Sequence, residues 1–186
     1  VGNSRETAWP AIRDGRSGID RITAFDTSEY SVHIAGEVTD FDPLDYFTKR
    51  ELNRLDRFVQ FALVAADQAL ESAGLDVEQE DPARVGAYIG TGIGGLHEIE
   101  AQHTRLLKSG PNRTSPLMIP KLMTNAAAGQ VAMRYSLHGP SMSVSSACAS
   151  ASHAIGEACD CIRNGMADVQ ICGGSEAAVT PMGLSG

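Results

Sequence analysis

One stretch limits what this chain can fold into: Ser141-Met-Ser-Val-Ser-Ser-Ala-Cys148-Ala-Ser-Ala-Ser-His-Ala-Ile-Gly156. Met142, Val144 and the hydroxyl-bearing run to Ser146 carry the alternation of a buried strand. Ala149, Ala151, Ala154, Ile155, Ala158 and Ile162 then recur at helical spacing, with no proline before Pro181. A strand over 142–146 and a helix over 148–163 therefore meet in a tight elbow, with a cysteine at the bend. The first turns of that helix have almost no polar face, which predicts packing on every side. Gly156 costs a helix interior roughly 1 kcal/mol against alanine, and so implies a neighbouring backbone close by.

A cysteine at a helix N-terminus meets backbone N–H groups that lack a helical partner, and the positive end of the dipole. A free thiol is only a few per cent thiolate at neutral pH. A favourable helix terminus supplies up to about 2 kcal/mol toward the anion, and the same N–H groups can hold a developing oxyanion. Position alone makes Cys148 a candidate nucleophile without an adjacent base. The competing reading is an inert small core residue.

The 186 residues suit one domain with a sizeable core. A formal charge of -8 and a pI near 5.0 argue against non-specific nucleic-acid binding. No window approaches the ~20 apolar residues of a membrane span, and no basic segment leads into a short apolar one as in a signal peptide. Cys148, Cys159, Cys161 and Cys172 form no CxxC pair, and Cys159 and Cys161 face opposite sides of a helix. Neither a disulfide framework nor a zinc site is expected, and the setting this implies is a reducing cytoplasm.

The chain opens in a loop that runs into a helix capped by Asn3 or Ser4. Residues 15–47 are polar and turn-rich, with short β-like runs such as Val32-His-Ile-Ala35. Thr48-Lys-Arg-Glu51 has capping-box spacing, and a helical pattern follows from Phe58 to Ala73, where Gly74 marks the stop. Arg84–Gly90 reads as a buried strand, Gly90–Gly95 as a glycine loop, and residues 96–107 as a helix. A proline-rich loop spans 110–121, and another small-residue helix 124–135. After the elbow helix stops at Asn164-Gly165, the next strand covers 168–174. Strand, helix and strand from 142 to 173 make a βαβ unit with parallel pairing, and the alternation as a whole predicts an α/β layered fold. No first strand precedes Val1 and the end lies in a loop, so the expectation is a fragment.

Gly90-x-Gly92-x-x-Gly95, between a strand and a helix, has the local form of a dinucleotide fingerprint. That motif wants an acid about 20 residues on, and no Asp or Glu occurs from residue 101 to 156. A nicotinamide oxidoreductase is therefore the weaker reading; the alternative is a loop that lets another segment approach closely. Two basic groups, Lys49/Arg50/Arg54/Arg57 and Arg105/Lys108/Arg113/Lys121/Arg134, are either solvated faces or docking sites for an acidic partner. Of the five histidines, only His153 is near the elbow in sequence. Five residues of helix turn it about 140° from Cys148, so it is no base for that thiol, and no His/Asp/Glu cluster has metal-ligand spacing.

Ser145-Ser-Ala-Cys148-Ala-Ser-Ala-Ser-His-Ala-Ile-Gly-Glu-Ala158 with Asn164-Gly-Met-Ala-Asp-Val-Gln-Ile-Cys-Gly-Gly-Ser-Glu-Ala177 resembles the active-site region of the β-ketoacyl-acyl-carrier-protein synthases, in particular their elongating type II members. Val1-Gly-Asn, Gly15-Arg-Ser-Gly18, Phe25-Asp-Thr27, Gly90–Gly95, Ser115-Pro116 and His138-Gly-Pro-Ser141 fall in the family's order. The resemblance implies a thiolase-like fold of two similar halves stacked as α-β-α-β-α layers. Residues 1–186 would be its N-terminal half, without the first strand and without the C-terminal half. It implies that Cys148 takes an acyl chain from acyl carrier protein as a thioester, with its own N–H as one oxyanion donor. Decarboxylative condensation with malonyl-loaded carrier protein then needs histidines and a lysine of the C-terminal half. Ile93 matches a gate to the acyl pocket, and Met118 a pocket position lent across a homodimer interface. Arg50, Arg54 and Arg113 match positions that meet the acidic carrier protein. No cofactor, metal, nucleic acid or membrane is implied. The alternatives are a polyketide ketosynthase of the same fold and a non-catalytic fragment that binds carrier protein.

Overall fold

The computed structural model describes all of residues 1–186. Helix α1 (Arg5–Arg13) starts at Ser4, whose N–H donates to Thr7 Oγ1 at 3.2 Å. The polar stretch after it holds a small antiparallel pair, β1 (Ile19–Arg21) with β2 (Ile34–Gly36). Thr48 and Glu51 form the expected capping box on a single turn, α2 (Lys49–Leu52). Asp56 caps α3 (Arg57–Ala73), and Gly74 ends it in the left-handed region at φ 62°.

The sheet that matters runs β4-β3-β5, all parallel: β3 is Val85–Gly90, β4 Ser141–Met142 and β5 Val169–Gly174. Strand β3 is buried along its whole length, as a central parallel strand must be. Its side chains split by parity. Val85, Ala87 and Ile89 face a core with Phe58, Val59, Leu63, Ala127 and Val131 from α3 and α6 (Ala126–Arg134). Tyr88 faces Ala154, Ala158 and Cys161 of α7 (Ser150–Arg163). The result is helix–sheet–helix layering around β3. Between β3 and α6 lie α4 (Leu96–Ser109) and α5 (Met118–Leu122), and α8 (Pro181–Ser185) closes the chain.

Several expectations change. The strand placed over 142–146 shortens to Ser141–Met142; beyond it Val144 O still accepts from Thr91 N–H (3.1 Å), in register with the pairing to β3, and Ser145 Oγ donates to Gly92 O (3.2 Å). The βαβ unit is parallel, but β4 and β5 are not neighbours; the crossover passes over β3. Helix α7 begins at Ser150 rather than at Cys148. It is not packed on every side: Ser150, Ala154, Ala158 and Cys161 are buried, whereas Ile155 and Ile162 are 47% and 43% exposed. Gly156 meets no neighbouring backbone, since a Cβ there would contact nothing within 4 Å. Part of the proline-rich loop is helical, as α5; Pro120 sits within its first turn, where a missing N–H costs nothing.

Candidate active site

The elbow is a left-handed turn at Ala147, with φ 50°. For a residue with a Cβ this conformation costs roughly 1–2 kcal/mol, so the surroundings must impose it. Ser146 supplies the constraint. Its N–H donates to Ser150 Oγ (2.9 Å), its carbonyl accepts from Ala149 N–H (3.1 Å), and its Oγ shares a 2.7 Å hydrogen bond with His153 Nδ1. Ser150 Oγ in turn donates to Ala147 O at 2.7 Å. Cys148 follows the turn, two residues ahead of α7, and is exposed. The amides of Ala149 and Ser150 are used by the carbonyls of Ser146 and Ala147. The Cys148 N–H makes no hydrogen bond within the chain and is a free donor beside the thiol. Cys148 is thus not a core residue of this chain.

The glycine loop packs on this elbow. A Cβ on Gly90 would stand 2.3 Å from Ser150 O, and one on Gly92 3.5 Å from Ala147 Cα. On the other side, Gly95 N–H donates to Leu122 O at 3.0 Å, which ties the loop to α5. Glu176 locks the loop in place. Its Oε2 accepts from Gly92 N–H (2.7 Å) and Ile93 N–H (3.2 Å), and its Oε1 accepts from Thr91 Oγ1 (3.1 Å). The amides that a dinucleotide phosphate would require are therefore occupied by the chain's own carboxylate, and the nicotinamide reading falls. The close-approach reading of the glycines holds.

Ile93 lies on this loop and is 49% exposed; Met118 opens α5 and is half-buried. The fold brings Cys148 and Ile93 onto two loops laced together, with α5 beside them. A cavity of about 630 Å³ lies elsewhere: its lining includes Asp56, His97, Glu98 and Lys121 but not Cys148, Ile93 or Met118. Three of its charged groups bond one another. Asp56 Oδ2 accepts from Glu98 N–H at 3.0 Å, and Glu98 is paired with Lys121. Burial pushes the Asp56 carboxyl above its ordinary range. Asp56 thereby ties the start of α3 to the start of α4 along the wall of that cavity. Arg50, on α2, Arg54 just after it, and Arg113, in a short turn after α4, are all exposed and in no ion pair.

A family model described as the β-ketoacyl synthase N-terminal domain matches residues 1–186. The chain belongs to the β-ketoacyl synthase family. It is 41% identical to 3-oxoacyl-[acyl-carrier-protein] synthase 2 of Vibrio harveyi over 186 residues, which is all of this chain and 45% of that protein. It is 42% identical to the protein of that name from Staphylococcus aureus, covering 46% of it. This β-ketoacyl synthase domain thus spans about half the length of the curated relatives it matches. Among solved structures, the ishigamide ketosynthase/chain length factor superposes over the whole chain and 46% of its own, with a TM-score of 0.90 at 28% identity. A ketosynthase bound to a hexaketide, in complex with its type II PKS acyl-carrier protein, covers 79% of this chain and 42% of its own, with a TM-score of 0.75 at 33% identity. The fold is therefore the thiolase-like ketosynthase fold, represented here by an N-terminal portion.

Two features of the site had weak sequence signals. Ser146 and His153 bond across the elbow at a separation of seven residues, but Ser146 lies outside the helix that carries His153, so helical periodicity does not foretell the contact. Glu176 was visible as the acid after two glycines in Gly173-Gly-Ser-Glu176, though not as the anchor of a loop more than eighty residues earlier.

Proposed function

We propose that this domain is the acyl-accepting half of an elongating 3-oxoacyl-acyl-carrier-protein synthase. The Cys148 thiolate attacks the thioester carbonyl of an acyl-carrier protein. The carbonyl becomes an oxyanion against the Cys148 N–H, the carrier's thiol departs with the electron pair, and the acyl group remains on Cys148. Malonyl-carrier protein would then lose CO2, and the carbanion would attack that thioester and expel the Cys148 thiolate, leaving the 3-oxoacyl chain on the carrier, with groups supplied by a C-terminal half. The observation that carries this reading is the exposed cysteine with a free amide at an imposed left-handed turn. The 41–42% identity to proteins named 3-oxoacyl-[acyl-carrier-protein] synthase 2 supports an elongating synthase over a polyketide ketosynthase, the reading that a type II PKS ketosynthase among the solved neighbours favours. Ile93 would gate the acyl pocket, and Met118 would serve the pocket of the partner in a homodimer.

Arg50, Arg54 and Arg113 would receive the acidic carrier protein. This assigns them to recognition of the donor and not to chemistry. Charge reversal to Glu at all three is expected to slow acylation from an acyl-carrier protein at least tenfold. Acylation from a small acyl thioester, which needs no docking, should change less than twofold. Equal loss with both donors, or with neither, would contradict the docking assignment; Cys148→Ala should abolish both.

A further inference from the structure

His153 has no contact with the Cys148 thiol and is not its base. It does, however, commit Nδ1 to Ser146 at 2.7 Å. Ser146 is the residue before the left-handed Ala147, and Cys148 is the residue after it. All the bonds that fix Ser146 lead to the start of α7: its N–H to Ser150, its carbonyl to Ala149, its hydroxyl to His153. The first two are local turn bonds that many helix starts could make. The third reaches over a full turn to an exposed side chain that packs no core. Without it, the Ser146 side chain has no hold on α7, and the turn at Ala147 is freer to relax to an ordinary negative φ. That relaxation would swing the Cys148 thiol and its free amide away from the helix terminus.

We infer that His153 is a positioning residue: through Ser146 it holds the left-handed turn that aims Cys148. This rests on Cys148 being the acyl acceptor proposed above, and it deepens that reading by one residue. The role needs only a side-chain atom at the Nδ1 position. An asparagine carries a polar atom on Cγ at about the same reach, so His153→Asn should preserve the clamp while His153→Ala removes it.

The test compares Cys148 with the two cysteines of α7 that follows it. The 186-residue chain is treated with iodoacetamide, and alkylation is followed by peptide mapping at Cys148, at exposed Cys159 and at buried Cys161. Ser146→Ala and His153→Ala are each expected to slow alkylation at Cys148 about fivefold, the scale of one neutral hydrogen bond. The double variant should be no slower than either single one, and His153→Asn should return to within twofold of the parent. Cys159 should react at an unchanged rate and Cys161 should stay protected; a loosened helix would move both. Additive single effects, failure of the asparagine to restore the rate, or parallel changes at Cys159 would overturn the proposal. The same variants are then offered an acyl-carrier protein. If none of them nor the parent is acylated while the alkylation pattern holds, the acyl-acceptor reading fails and the clamp stands. If all are acylated at the parent rate, the clamp fails and the acyl-acceptor reading stands.

Discussion

The bend that presents Cys148 is made by residues that do no chemistry. Ala147 takes the unfavourable backbone, Ser146 and Ser150 fix it, and Gly90 makes room for it. Sequence spacing pointed to the cysteine, because a strand pattern stops and a small-residue helix starts around it. It could not point to Ala147, whose left-handed φ carries no compositional mark when the residue is not glycine. It also placed the helix start at the thiol, whereas Cys148 stands two residues ahead, with its own amide among the donors left without a partner. Gly90 was legible as a close approach, and its partner only in space: a Cβ there would lie 2.3 Å from the Ser150 carbonyl. The clash is with backbone on both sides, so relief requires the elbow and the glycine loop to part. Gly90→Ala is expected to destabilise the domain by about 1–3 kcal/mol, the usual cost of overpacking, as read by urea denaturation. It should also depress Cys148 reactivity. Unchanged stability would mean that the elbow is looser than its hydrogen bonds imply.

Among the elements, β3 is the one the sequence described best, since a buried six-residue run between turn signals has few other solutions. Strand β4 was overdrawn: Val144 and Ser145 look like strand residues, and past Met142 they bond the glycine loop that follows β3. The parallel strand β5 is held at its start by Arg84, which forms a two-pronged pair with Asp168 (3.0 and 2.7 Å) and also donates to Gly165 O at 2.8 Å. This links the entry to β3, the end of α7 and the entry to β5. The hydrogen bonds from Arg84 hold the Asp168 carboxyl below its ordinary range. A carboxyl depressed in the folded state binds fewer protons there than when unfolded, so its contribution is present above the ordinary aspartate pKa and is lost as pH falls through the folded value. Asp168→Asn is therefore expected to lower the thermal midpoint at pH 7, and the gap from the parent should close as the pH is taken below the ordinary aspartate range. A gap independent of pH would assign the effect to the neutral hydrogen bonds alone.

On the scale of the whole molecule, two kinds of surface stand out. Ile155, Ile162 and Met166, at 47%, 43% and 51% exposed, form one uncovered side of α7 and its end. Composition made that helix look buried on every side, and the side left open here is the one that needs a further layer. The chain matches only the first 45–46% of its curated relatives, and the proposed C-terminal half would supply that layer together with the condensation groups. The second surface is the set of unpaired arginines on a chain of net charge -8. What was legible at this scale was the family, through the cysteine elbow and the downstream glycines and acid. A pocket for the proposed acyl chain was not, since Cys148, Ile93 and Met118 line none of the three cavities formed around Asp56, Asp67 and Val64. The most direct measurement is intact mass after the 186-residue chain is incubated with a medium-chain acyl-carrier protein, with Cys148→Ala alongside. A single acyl adduct on the parent, missing from the variant, is the expected result. An adduct that persists in Cys148→Ala, or none on a folded parent chain, would contradict Cys148 as the acyl acceptor of this domain.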